Sequence, residues 1–187
     1  GPSKEQARSL LSGFGITWRE YDPMDAAALA GMASAKTRLV WVEAPGSVTM
    51  EFPNLRELVR AAKAGGAVCA LDNTWGAGLA FNAFDLGVDI SAQALTKYPS
   101  GGADVLMGSV VTRDEALHHK LLHAHGLLGV GVAGNDAELV LRSLPSIGIR
   151  YAAHDIAARK LAAWLGTQAQ VTRVLHPALP GAPGHEH

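Results

Sequence analysis

Two short apolar runs, each closed by one charged residue, constrain the fold of this chain most. Ala67-Val68-Cys69-Ala70-Leu71 ends at Asp72, and Val88-Asp89-Ile90-Ser91-Ala92-Gln93-Ala94-Leu95-Thr96 ends at Lys97. Runs of this length and composition, bounded by turn residues, read as buried strands. Between them lie a turn-rich stretch, residues 72–78, and a short helical pattern, residues 79–86, stopped by Gly87. The 25 residues from Asp72 to Lys97 match one strand–helix–strand excursion, the connection that joins parallel strands. In an open α/β sheet both charged residues then stand at the carboxyl edge, where ligands bind.

The rest of the chain fits that frame. Residues 3–12 read as a helix with Ser3 as N-cap and Gly13 just past its end. Residues 25–35 form an Ala-rich helical pattern. Residues 38–42 are a β-rich run followed directly by Glu43, and Pro45-Gly46 turns the chain. Pro53 suits the first position of a helix with Leu55, Leu58, Val59 and Ala62 on one face, ended by Gly65-Gly66. Residues 105–111 are a further strand. Strands alternating with helices on short connections predict an α/β fold, a mostly parallel sheet sandwiched by helices. Beyond Arg113 the pattern turns helical, over residues 115–124, 137–144 and 149–167. The last helix keeps Ile156, Leu161, Trp164 and Leu165 at helical spacing. The Pro- and Gly-rich residues 177–184 exclude regular structure and read as a linker.

Composition narrows the function. The chain has 187 residues, enough for one sizeable core, with 48% hydrophobic and only 6% aromatic residues, so Ala, Val and Leu must fill that core. A net charge of −1 without a basic block argues against nucleic acid or a membrane surface as partner. The single cysteine, Cys69, rules out an internal disulfide framework. No apolar stretch approaches the roughly 18 residues of a membrane span, and the first residues do not resemble a signal peptide. A soluble, cytoplasmic protein is the expectation.

A lysine and a carboxylate at one sheet edge suit pyridoxal 5'-phosphate. The lysine forms the covalent link, and the carboxylate pairs with the pyridinium nitrogen. Either residue alone is weak, since strand-end lysines are commonly solvated. The context Asp72-Asn73-Thr74-Trp75 with Thr96-Lys97-Tyr98 gives the pair its weight, and Thr96 offers a hydroxyl to a phosphate oxygen. Glu43 is either a further site carboxylate or a capping or ion-pairing residue, and Trp75 either stacks near a cofactor or fills the core. Gly129-Val130-Gly131-Val132-Ala133-Gly134 matches the dinucleotide-binding glycine pattern, but it follows a helix instead of a strand and reads as a loop between helices. His119 and His123 have i, i+4 spacing, yet Lys120 stands where a zinc-peptidase motif needs glutamate. With His118 and His125 they read as a solvated face, and no metal is assigned.

Val42-Glu43-Ala44-Pro45, Leu71-Asp72-Asn73-Thr74, Thr96-Lys97-Tyr98 and Leu141-Arg142-Ser143-Leu144 together resemble the Cys/Met-metabolism family of pyridoxal-phosphate enzymes, across almost the whole chain. The resemblance implies fold type I, the aspartate-aminotransferase-like large domain. It makes Lys97 the Schiff-base lysine, Asp72 the pyridinium partner and Thr96 a phosphate ligand. Ala94 stands where many relatives carry a phosphate-binding serine, and Gly102-Ala103 replace a usual His-Ser. Pro45-Gly46-Ser47-Val48-Thr49-Met50-Glu51 and Trp75 are most similar to the β-lyase branch. That implies carbon–sulfur β-elimination from L-cystathionine to homocysteine, pyruvate and ammonia, in methionine biosynthesis. The γ-lyase or γ-synthase chemistry of the same family, or a catalytically incomplete fragment, is the alternative. The resemblance further implies a homotetramer and a domain truncated at both ends. Residues 1–145 would be part of the cofactor-binding domain, and residues 146–187 an interdomain helix and the start of a linker.

Overall fold

The computed structural model describes residues 2–187. Two helices, α1 (Pro2–Ser9) and α2 (Ala26–Met32), precede strand β1 (Leu39–Glu43). Then come α3 (Leu55–Ala64), β2 (Val68–Asp72), β3 (Ile90–Ala94) and β4 (Gly108–Val111). Helices α4 (Glu115–Leu128), α5 (Gly134–Ser143) and α6 (Ile147–Leu165) complete the order. The four strands form one sheet in the order β1-β2-β3-β4. The first two pairings are parallel and the last is antiparallel. The sheet is thus mostly parallel, as expected, with an antiparallel edge.

The core lies where the apolar runs meet α3. Val40 and Val42 of β1 and Cys69 and Leu71 of β2 alternate onto one face of the sheet, against Leu55, Leu58, Val59 and Ala62. The helical face read from sequence is therefore the buried one, joined by Ala61. Leu29 of α2 and Val88 close the same cluster. In β2, Cys69, Ala70 and Leu71 are buried in succession, so both faces of this central strand are covered. Asp89 ties the edge of this core: it accepts from the Cys69 amide (2.8 Å) and pairs with Lys63 of α3 (2.5 Å).

Several boundaries differ from the sequence reading. Helix α1 starts at Pro2, so Ser3 lies inside it, and a 3-10 turn over Leu11–Phe14 carries the chain past Gly13 to Gly15. Pro53 does not open α3. Asn54 caps it, its side chain accepting from the Glu57 amide at 3.2 Å, because asparagine can satisfy a free N–H and proline cannot. The signal was the Asn54…Glu57 spacing of a capping box. The helix expected over residues 79–86 shrinks to a 3-10 turn, Ala83–Leu86. Asn82 caps that turn, and Gly87 at φ 90 ends it in the left-handed region. The strand expected from residue 105 begins only at Gly108; just before it, the Met107 amide donates to the Thr96 hydroxyl (3.1 Å) and the Met107 carbonyl accepts from the Thr96 amide (3.2 Å). In α6, Ile156, Leu161 and Trp164 are exposed, and Ala162 is the buried residue among those described. Residues 129–133 form the loop joining α4 to α5, as the sequence context indicates, and Gly134 begins α5.

Leu58 has no exposed surface and Leu127 is largely exposed. Leu58→Ala should lower stability by about 2–5 kcal/mol through transfer and cavity terms. Leu127→Ala should change it by less than about 0.5 kcal/mol in a chemical-denaturation comparison. The Cys69 thiol is pushed from 9.0 up to about 11, first by burial and then by Asp89, with Lys63 opposing. A raised pKa means that the neutral thiol's contribution is complete below about pH 9 and is lost as pH rises through about 11. Cys69 should therefore resist thiol reagents at pH 8 until the chain unfolds. Cys69→Ala should flatten the fall in stability measured between those pH values.

Candidate functional site

Parallel register sets the site. Glu43 pairs with Asp72 across β1 and β2, and Asp72 pairs with Ala92 across β2 and β3. The carboxyl ends of three adjacent strands therefore share one edge of the sheet. Lys97 follows Ala94, the last residue of β3, by one tight turn, so the edge that carries Asp72 also carries Lys97.

Asp72 is half-buried and held on one oxygen. Its Oδ1 accepts from the Thr74 amide (3.0 Å) and the Thr74 hydroxyl (2.5 Å). Thr74 Oγ1 in turn accepts from the Ala94 amide at the end of β3 (2.8 Å). No protein group among the described residues bonds Asp72 Oδ2, which leaves one carboxylate oxygen for a ring N–H. Sequence reading did not assign Thr74 a role. Its signal was the Asp-x-Thr spacing, which brings a hydroxyl back onto the preceding carboxylate.

Lys97 is exposed, and among the described residues its amine makes no ion pair or hydrogen bond. Its backbone is closely held. The Lys97 amide donates to Ala94 O (3.1 Å), and Lys97 O accepts from the Gly101 amide (3.1 Å). Buried Ser100 donates to Thr96 O (2.8 Å), and its amide donates to Leu95 O (2.9 Å). The flexible amine thus stands on a rigid loop. An open carboxylate oxygen and an unengaged primary amine on one edge are the donor set that pyridoxal phosphate requires, so these residues fit the cofactor.

The remaining candidates separate. Thr96 lies beside Lys97, but its hydroxyl faces Met107, accepting from the amide (3.1 Å) and donating to the carbonyl (3.3 Å). Ala94 has no hydroxyl to add. Glu43 accepts a hydrogen bond from Ser47 and so braces the loop after β1. Trp75 is not a core residue. With Ala44, Phe81, Tyr98 and Tyr151 it walls a cavity of about 460 Å³ that flanks the Asp72–Lys97 edge, while Asp72 and Lys97 themselves stay outside the lining. Burial raises the phenol pKa of Tyr98, with Asp155 adding to the effect, and burial followed by Tyr98 raises that of Tyr151. Both phenols therefore remain protonated donors at neutral pH. His118, His119, His123 and His125 lie exposed along α4, with His119 3.7 Å from Glu115.

The comparisons agree with this geometry. The description "Cys/Met metabolism PLP-dependent enzyme" matches residues 1–187. Cystathionine β-lyase MetC of Escherichia coli is 37% identical over 99% of this chain and 47% of its own length. A cystathionine γ-lyase from Lactobacillus plantarum, solved with L-serine, superposes at TM-score 0.93 with 26% identity, over 98% of this chain and 48% of its own. A cystathionine γ-synthase from Xanthomonas oryzae superposes at TM-score 0.90 with 30% identity, over 98% of this chain and 48% of its own. The chain spans about half the length of these relatives, and its fold is that of fold type I pyridoxal-phosphate enzymes. Sequence match, superposition and the Asp72–Lys97 edge coincide: the chain belongs to the Cys/Met-metabolism family of pyridoxal-phosphate-dependent enzymes.

Proposed function

We propose that this chain supplies the cofactor half of a carbon–sulfur β-lyase that cleaves L-cystathionine to homocysteine, pyruvate and ammonia, in methionine biosynthesis. The observation that carries the reading is Asp72 with one open oxygen on the same strand edge as the unengaged amine of Lys97. Identity of 37% to a cystathionine β-lyase over 99% of this chain supports the β reading. We divide the chain at 145/146, with the cofactor-binding part before and the interdomain helix and linker start after. The same reading carries a cytoplasmic homotetramer. No helix among the described residues is long and apolar enough to cross a membrane.

When bound, pyridoxal phosphate supplies an electron sink for the charge that develops at the substrate Cα. Asp72 would pair with the ring nitrogen, favour its protonated form and so deepen that sink. Lys97 would hold the cofactor through its amine, and its Nζ, once free, would be the group placed to take the substrate Cα proton and to return one to the leaving sulfur. Thr96 contributes a hydroxyl to the phosphate, giving up its 3.3 Å bond to the Met107 carbonyl. Thr74 holds Asp72 through Oδ1, which would leave Oδ2 for the ring nitrogen.

Two experiments test these assignments on the chain and on a chimera in which it replaces the matching half of the E. coli relative. After loading with pyridoxal phosphate and borohydride reduction, the covalent adduct should map to the peptide containing Lys97 and vanish in Lys97→Ala. An adduct on Lys63, Lys120 or Lys160 would refute the role of Lys97. In the chimera, cystathionine should yield pyruvate, whereas 2-oxobutyrate would mark γ cleavage. Asp72→Asn keeps the shape and removes the charge. If ring protonation is worth about 3–5 kcal/mol in the transition state, turnover should fall by roughly two to four powers of ten. Unchanged turnover would place another group at the ring nitrogen. The chain alone has Thr96 as its only assigned phosphate contact. It should load weakly and release no pyruvate unless joined to the remaining half of the E. coli relative.

A further inference from the structure

The start of α6 reaches both loops of the site with two consecutive residues. Arg150 and Tyr151 are neighbours on the helix, so their side chains leave about 100° apart and can serve different segments. Arg150 Nη1 donates to the Tyr98 carbonyl at 2.6 Å, on the residue after Lys97. The Tyr151 hydroxyl donates to the Trp75 carbonyl at 3.0 Å, three residues after Asp72. The Tyr151 ring also packs edge-on against Tyr98, with centroids 5.0 Å apart. One rigid helix therefore holds the Lys97 loop through Arg150 and the Asp72 loop through Tyr151.

The arrangement around Arg150 favours position over charge. Its other bonds go from Nε to Ser146 Oγ (3.0 Å) and from Nη2 to the Ser143 carbonyl (3.1 Å) and hydroxyl (3.0 Å). Every acceptor is a neutral oxygen, and no carboxylate pairs with Arg150 among the described residues. What a planar guanidinium adds in such a setting is fixed geometry in several directions at once. The Lys97 loop is shaped to receive it. Gly101, at φ +74, passes so close that a Cβ there would lie 2.8 Å from Arg150 Cζ and Nη1. The guanidinium is thus pinned between the α5–α6 junction and the backbone that carries Lys97.

We infer that Arg150 and Tyr151 are positioning residues that set the placement of Lys97 relative to Asp72, so that α6 controls formation of the cofactor site. The inference rests on the reading of Lys97 and Asp72 as the cofactor's partners. Neither Arg150 nor Tyr151 touches the reacting atoms. They act through the carbonyls of Tyr98 and Trp75, and a shift of α6 moves both loops together.

Amide hydrogen exchange on the chain without cofactor reads the clamp directly. Arg150→Ala should speed exchange about tenfold or more at residues 97–101, whose amides close the Lys97 loop, and leave α3 unchanged. Tyr151→Phe, which keeps the ring and removes one oxygen, should do the same at residues 74–80 and stays testable if Arg150→Ala does not fold. The Ser143→Ala, Ser146→Ala pair removes junction contacts but keeps the Tyr98 bond, and should leave residues 97–101 protected. Arg150→Lys, with one ammonium donor for Tyr98 O, should restore part of that protection. Borohydride trapping on Lys97 at fixed pyridoxal phosphate should slow several-fold in Arg150→Ala and Tyr151→Phe. Unchanged loop exchange, faster exchange shared equally by α3, or loosened loops with undiminished trapping would each overturn the inference. Failure of the unaltered chain to trap cofactor on Lys97 would instead overturn the functional reading, which the exchange data do not depend on.

Discussion

The hydrogen-bonded chain Asp72 Oδ1–Thr74 Oγ1–Ala94 N is the link on which the site depends. It joins the ends of two parallel strands whose ladder is already finished. Without it, the loop after β2 and the loop after β3 would diverge as the sheet twists. The hydroxyl does two things at once: it donates to a carboxylate and accepts from a strand amide. A charge-assisted bond of this kind is stronger than a neutral one. Here it also leaves the other carboxylate oxygen without a hydrogen-bond partner among the described residues. Serine could supply the same hydroxyl. The β-branched threonine additionally restricts its own rotamer, which suits a residue whose function is orientation.

The fold separates stability from chemistry. The apolar cluster of β1, β2, α2 and α3 sits on one face of the sheet and is built from Val, Leu and Ala. The reactive groups stand at the strand ends, beyond that cluster. Asp89 marks the boundary. It is tied to Lys63 and the Cys69 amide, so this carboxylate belongs to the core and is spent on structure. Asp72 keeps an oxygen open, and Lys97 keeps its amine unengaged. Two acid–lysine combinations in one small sheet thus have opposite fates, decided by whether the partners can reach each other.

Much of this was legible in the sequence, for a definite reason. A strand that ends in a charged residue announces itself by composition, so Asp72 and Lys97 could be placed at one edge before any coordinates. The α3 face was readable from its 3.6-residue period. What was not legible depends on side chains that cap or bridge. Asn54, not Pro53, begins α3, and Asn82 turns an expected helix into a single 3-10 turn. Thr96 looked like a free hydroxyl, but Met107 lies 11 residues further on and folds back to meet it. Arg150 lies 52 residues from the carbonyl it holds, a separation at which no periodicity carries a signal.

The placement of reactive groups also explains why one scaffold serves several reactions. On the proposed reading, Asp72 and Lys97 would serve what β- and γ-elimination share: charge stabilisation at Cα and removal of its proton. Neither residue distinguishes a sulfur at Cβ from one at Cγ. Discrimination must come from groups that hold the substrate's distal end and decide whether a Cβ proton is taken. On this chain the surfaces next to the edge are Trp75 and Tyr98, in the wall of the flanking cavity. Both are aromatic, and each bonds α6 through its carbonyl, to Tyr151 and Arg150 respectively. The helix that sets the loops therefore also sets the shape of the space beside them. On the proposed reading, reaction electronics and substrate space would be coupled through this one element, since α6 bonds the loops after both Asp72 and Lys97.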